Sequence, residues 1–140
     1  MTTRRASILD DLVDTIGEIT GLTGGASLQV HTGARLLYPH ALIGWSSDTV
    51  LTEQSGRLLN RSLRVTIAIF FQVDGTQDTV SAEQAEEWIA AIEAAALADR
   101  GRGGYAVDTR LVESTLFPVL EGAPEAGGSV ALDIVYQERI

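Results

Sequence analysis

Apolar residues recur at helical spacing near the start of the chain. Ile8, Leu9, Leu12, Val13, Ile16 and Ile19 share one stripe, while Asp10, Asp11, Asp14 and Glu18 take the other. The spacing predicts a helix over residues 3–21, capped by Thr2 or Thr3 and stopped by Thr23-Gly24-Gly25. Short strands are predicted over 27–31 and 38–45, the second entered through Pro39, where a missing N–H is tolerated. Residues 46–60 mix polar positions with Val50, Leu51, Leu58 and Leu59 and hold the turn-prone Gln54-Ser55-Gly56. That is long for a bare connection, so a mobile contact loop or flexible hairpin is expected there.

The clearest strand is 63–73, with Leu63, Val65, Ile67, Ile69, Phe71 and Val73 on one face at period two and Arg64, Thr66, Ala68, Phe70 and Gln72 on the other. After a turn at 74–78, Ser81 and Gln84 have the spacing of a capping box and predict the start of a second helix running to about Asp99. Ala85, Trp88, Ile89, Ile92 and Ala96 form its apolar stripe, and Glu83, Glu86, Glu87 and Glu93 face water. Arg100-Gly101 ends it. A strand at 105–112, an extended segment at 116–120, a loop at 121–128 and an alternating strand at 130–136 complete the chain. The order implies an α+β fold: one domain over residues 1–140, with a mostly antiparallel sheet of four to five strands and two helices packed on one face.

Length and composition agree with one domain, since 140 residues suffice for a single core and the 45% hydrophobic and 21% charged fractions are ordinary. No apolar run is long enough to span a bilayer, and Asp10, Asp11 and Asp14 interrupt what a signal peptide would keep apolar, so a protein made and used in a cytoplasm is expected. The absence of cysteine removes disulfides, thiolate metal sites and cysteine nucleophiles. A net charge of −9 argues against general nucleic-acid binding, which depends on Lys and Arg meeting phosphates.

Candidate chemistry is sparse. His31 and His40 have no carboxylate at metal-ligand spacing, and no motif ties either to a serine. Gly101-Arg102-Gly103-Gly104 follows a helix, whereas a phosphate loop opens one, so it reads as a helix-terminating turn. Asp10-Asp11 and Glu86-Glu87 read as solvated helix faces, and Trp45, Trp88 and Phe117 as core or interface anchors. No catalytic residue, cofactor site or metal site is assigned, and a non-enzyme is expected.

Taken in order, several segments resemble the tail-terminator family of long-tailed bacteriophages, the minor tail protein U type. They are the first helix with Arg5, Ile8, Leu9 and Leu12, the strand entry Tyr38-Pro39-His40-Ala41-Leu42-Ile43, the strand 63–73, the second helix with Trp88 and Ile92, and the ending Val130-Ala131-Leu132-Asp133-Ile134-Val135-Tyr136-Gln137-Glu138. The stretches 46–60 and 116–128 depart from the pattern. The resemblance implies a structural protein without catalysis or cofactor. It implies a homohexameric ring in the virion that caps the tail tube at its head-proximal end, stops tube polymerisation and joins the head. The implied partners are further copies of the chain, the tail tube protein and a head–tail connector protein, with genomic DNA crossing the lumen without specific binding and no membrane. Val50, Leu51, Arg57, Leu58 and Arg61, in the long 46–60 stretch and just beyond it, are the candidate interface residues. Another neck or connector protein, and a small ligand-binding or enzymatic α+β domain, are the rival readings.

Overall fold

The structure is a computed structural model that describes residues 3–28, 39–54, 56–72, 78–117 and 125–139. Helix α1 spans Arg4–Gly17, β1 Ala26–Leu28, β2 His40–Gln54, β3 Leu58–Gln72, α2 Asp78–Ala98, β4 Asp108–Leu116 and β5 Glu125–Arg139, with a 3-10 turn at Arg102–Gly104. The five strands form one sheet in the order β1-β2-β3-β5-β4. Only β1 and β2 pair in parallel; every other neighbour pair is antiparallel. The fold is α+β.

Alternation decides which face is covered. In β3, Leu63, Val65, Ile67, Ile69 and Phe71 are buried, while the residues between them are only half-buried. Their register partners on β5, from Ala126 to Ile134, and Ala41 and Ile43 on β2 carry the same face across the sheet. That face joins Ile8, Leu9, Leu12 and Ile16 of α1 and Ile89, Ile92 and Ala96 of α2 in a single core. Both helices therefore cover one side of the sheet, and among the described residues no helix covers the other. No helix of the described residues is long and apolar enough to cross a membrane.

Several element boundaries differ from the sequence expectation, each for a local reason. Thr3 is the cap of α1, its Oγ1 accepting the Ala6 amide at 3.0 Å, but the helix ends at Gly17, four residues early. Helix α2 begins at Asp78, which places Ser81 inside its first turn and not at its cap. Of the two expectations for the stretch 46–60, loop and hairpin, the structure shows the hairpin: β2 and β3 pair along almost all of it and it closes at Gly56–Arg57, where Gly56 takes a left-handed φ of 67°. Bulges at Trp45/Ser47 and Val50/Thr52 break the two-residue period of β2 and so hide the strand. A third bulge, at Leu111/Glu113, likewise hides the continuation of β4 to Leu116.

Strand β5 starts inside the expected loop because Gly127 and Gly128 are strand residues chosen for space. A Cβ on Gly128 would lie 2.6 Å from Ile89 Cδ1 of α2 and 2.7 Å from the Thr115 carbonyl, and one on Gly127 would overlap the Ile69 carbonyl. The expected end of β1 at His31, the entry at Tyr38, Val73, and the segments 74–77, 118–120 and 121–124 lie outside the described residues.

Candidate interface

Beyond Leu63 and Tyr136 the sheet outruns its helices. Residues 49–54 of β2, 58–62 of β3 and 137–139 of β5 continue as a three-stranded arm, and residues 49–53, 58–62 and 137–139 are all exposed or half-buried. At about 3.3 Å per residue the arm reaches roughly 15–20 Å past the core. Four of the five expected interface residues lie on it, and Arg57 is in its closing turn. Val50 and Leu51 are half-exposed at 48% and 52%, Arg57 is exposed, and Leu58 and Arg61 are half-buried. Val50, Arg61 and Tyr136 sit side by side in register on the face that the helices cover further along.

The root of the arm is tied by charge. The Asp48 side chain, 4% exposed, accepts hydrogen bonds from Arg5 Nη1 at 2.9 Å and from the Tyr136 hydroxyl, and Arg61 Nη1 lies 3.7 Å away. Arg61 Nε in turn approaches Glu138 Oε1 at 3.4 Å, so Arg61 is an internal strut more than a free contact. Burial, with help from the hydrogen bond to Asp48, holds the Tyr136 phenol protonated well above its ordinary range. Arg5 also lies over the Trp45 ring, 4.3 Å from its centroid, and keeps that 44%-exposed indole fixed against α1. The meeting of Asp48, Arg5 and Tyr136 escaped the sequence reading because residues so far apart in sequence show no common spacing.

The remaining candidates resolve into structural parts. Trp88 packs against the main core and against a small second cluster of Phe71, Ala85 and Ala126, and Phe117 stacks on Phe70 at 5.8 Å on the open face. In the turn after α2, Arg102 is fully buried and folds back at φ 49°, its guanidinium donating to the Ala96 carbonyl at 2.6 Å and to the Asp99 carbonyl. Asp11 pairs with it from α1 at 3.5 Å. Burial lowers the Arg102 pKa and raises that of Asp11. The turn amides are consumed within the turn: Gly101 and Gly103 donate to the Asp99 carboxylate, Gly104 to Gly101 and Arg102 to the Asp99 carbonyl. No phosphate cradle is left.

One pairing has no motif in the sequence to announce it. His40 is buried, its Nδ1 lies 2.9 Å from the Gly24 carbonyl, and its Nε2 lies 3.1 Å from Ser27 Oγ. A carbonyl can only accept, so Nδ1 carries a proton, and in the neutral ring Nε2 accepts from the serine. This joins the Gly24-Gly25 turn to the start of β2. His31 is outside the described residues. Among the described residues no three His, Asp or Glu side chains gather as a metal site. Three depressions of about 260, 280 and 300 Å³ are lined by apolar and neutral polar residues, with no ionisable side chain among them. No family model matches the chain, and no curated protein matches it.

Proposed function

We propose that this chain is a structural ring subunit that caps the tail tube of a long-tailed bacteriophage. In this reading it sits in the virion at the head-proximal end of the tail, where it stops tube growth and presents the surface that the head joins. Six copies surround a lumen that DNA crosses without specific binding. The observation that carries the reading is the arm: a stretch of sheet that the chain's own helices leave bare, with Val50, Leu51 and Arg57 exposed on a rigid, charge-tied root. A domain with its own core gains nothing from such an extension unless another surface meets it. Electron microscopy of the protein mixed with purified tail tubes, together with light scattering on size exclusion, tests this. Sixfold caps at one tube end are expected. A protein that binds no tube end, or forms a stable dimer or a ring of another symmetry throughout, overturns it.

A second reading, a small α+β hydrolase, rests on Ser27 and His40, whose hydrogen bond and carbonyl-oriented imidazole reproduce part of a nucleophile–base pair. The described depressions do not include either residue. A fluorophosphonate probe distinguishes the readings: labelling that disappears in both Ser27→Ala and His40→Ala supports the hydrolase, and unlabelled wild type removes it.

A further inference from the structure

We infer that the outer edge of β4 pairs with the same edge of a second copy of this chain, antiparallel about a two-fold axis, so that two sheets run on as one. The contact belongs to the free chain and does not rest on the ring reading.

Strand β4 stands last in the sheet order, and among the described residues no strand pairs with its outer edge. It is also thinly covered: past Thr109, every residue from Arg110 to Leu116 is exposed. Val107, Leu111, Val112 and Leu116 place four exposed aliphatic side chains on this one short stretch. Unpaired backbone N–H and C=O groups beside such side chains are a template for a further strand.

The bulge decides which strand fits. Between Leu111, opposite Leu132, and Glu113, opposite Ala131, β4 carries one residue more than β5. A regular strand laid along the outer edge falls out of step at that point, which is how bulges turn foreign strands away. A strand with the same bulge, laid antiparallel so that Leu111 faces Val112 of the second copy, keeps step on both sides of it.

The side chains agree in that same register. It sets Val107 opposite Leu116, Thr109 opposite Ser114 and Arg110 opposite Glu113, each twice by symmetry. Arg110 and Glu113 share the open face, since their β5 partners Asp133 and Ala131 are in register with Arg64 and Thr66 of β3. Charge alternates across Arg64, Asp133 and Arg110, and Glu113 of the second copy continues the ladder. Sliding one copy by two residues sets Asp108 against Glu113, and sliding it by three sets Arg110 or Glu113 against its own kind. Because the same patch serves both copies, the contact closes at two and does not by itself build a ring. One strand from each copy makes a small interface, below roughly 1,200 Å², so the pair is reversible and leaves subunits free for a tube end.

The chain has no cysteine, so single thiols report the register. Val112→Cys treated with a short bismaleimide is expected to give a crosslinked dimer, since its two copies flank the axis. Leu116→Cys is expected to give little, because the register holds its two copies roughly 30 Å apart along the strands. Sedimentation of the wild type is expected to show a concentration-dependent balance of monomer and dimer. Arg110→Glu or Glu113→Arg alone should weaken the dimer at least about tenfold, while mixing the two variants, or combining both changes in one chain, should restore it. Every side chain changed is exposed, so the fold is retained. A monomer at all concentrations, equal crosslinking of both thiols, a mixture no better than its components, or a dimer that Glu113→Arg leaves unchanged overturns the contact. Sixfold caps on tail tubes, formed by a chain that never pairs through β4, would sink this contact and leave the ring reading standing. A β4 dimer that binds no tube end would do the opposite.

Discussion

The two halves of the β2–β3–β5 ladder share the same backbone pairing and differ in what covers them. From Leu63 to Phe71, β3 places every second side chain against α1 or α2, and the alternation of buried and half-buried residues is strict. From Leu58 to Ser62 the same strand, with the same partners in register, has only half-buried residues. Hydrogen bonds hold both halves in shape, yet a net bond contributes only about 1 kcal/mol, so burial separates them energetically. The covered half carries the stability. The bare half is free to be specified by a partner, and its rigidity has to come from the Asp48 ion cluster at its root and not from a core.

The largest expected effect lies in the covered half. Ile67→Asp would put an unpaired charge on a fully buried position, costing several kcal/mol in a domain whose whole stability is about 5–15 kcal/mol. It should be insoluble or unfolded; a wild-type circular dichroism spectrum and melting temperature would overturn the face assignment. Arg102→Met keeps the volume but leaves the Ala96 and Asp99 carbonyls and Asp11 without their cation. A loss of about 2–3 kcal/mol in urea unfolding is expected. An unchanged midpoint would mean that the turn holds without the guanidinium.

At the root, Asp48→Asn removes the charge that Arg5 and Arg61 share and is expected to cost about 1–3 kcal/mol. Its signature is location. Amide exchange should quicken in residues 49–54 and 58–62 while Ile67 and Leu132 keep their protection. Uniform quickening would show that arm and core are one cooperative unit. On the arm itself, Val50→Ser with Leu51→Ser should shift stability by less than about 0.5 kcal/mol, since both side chains are already half in water. The same pair should abolish tube capping, and a clear loss of stability without loss of capping would reverse the proposed division.

The division also explains what could be read from the sequence. Where a face is buried without interruption, as in β3, or where a helix presents Ile89, Ile92 and Ala96 to the sheet, period alone located the element and its inward residues. Where bulges shift the register, at Trp45/Ser47, Val50/Thr52 and Leu111/Glu113, the period fails and strands look like loops. Gly127 and Gly128 misled for a related reason: their lack of side chains answers to Ile89 and the Ile69 backbone, contacts formed only in the fold. The candidate interface was legible as an odd mixture of Val50, Leu51 and Arg57 with polar residues. Its anchor was not, because Arg5, Asp48 and Tyr136 meet only through tertiary structure.

The smallest expected effect contrasts a half-buried carboxylate near the surface with the buried one at the arm's root. Asp108, at the start of β4, receives Arg100 Nε at 2.7 Å and Arg110 Nε at 3.2 Å. These hydrogen bonds, that of Arg100 first, lower its pKa to about 2. A depressed carboxylate pKa stabilises the fold at pH above the unfolded value, near 4, and the contribution fades as pH falls towards about 2. Water screens the pair strongly at this surface, so the effect is small even at neutral pH. Asp108→Asn should therefore differ slightly from wild type in urea unfolding at pH 7 and converge with it by pH 2. Molar salt should narrow the gap at pH 7 in the same way. A difference that stays constant from pH 7 to pH 2 would show that the variant acts through something other than the lost charge, such as the Asp108 contact with the Thr109 amide at 2.9 Å.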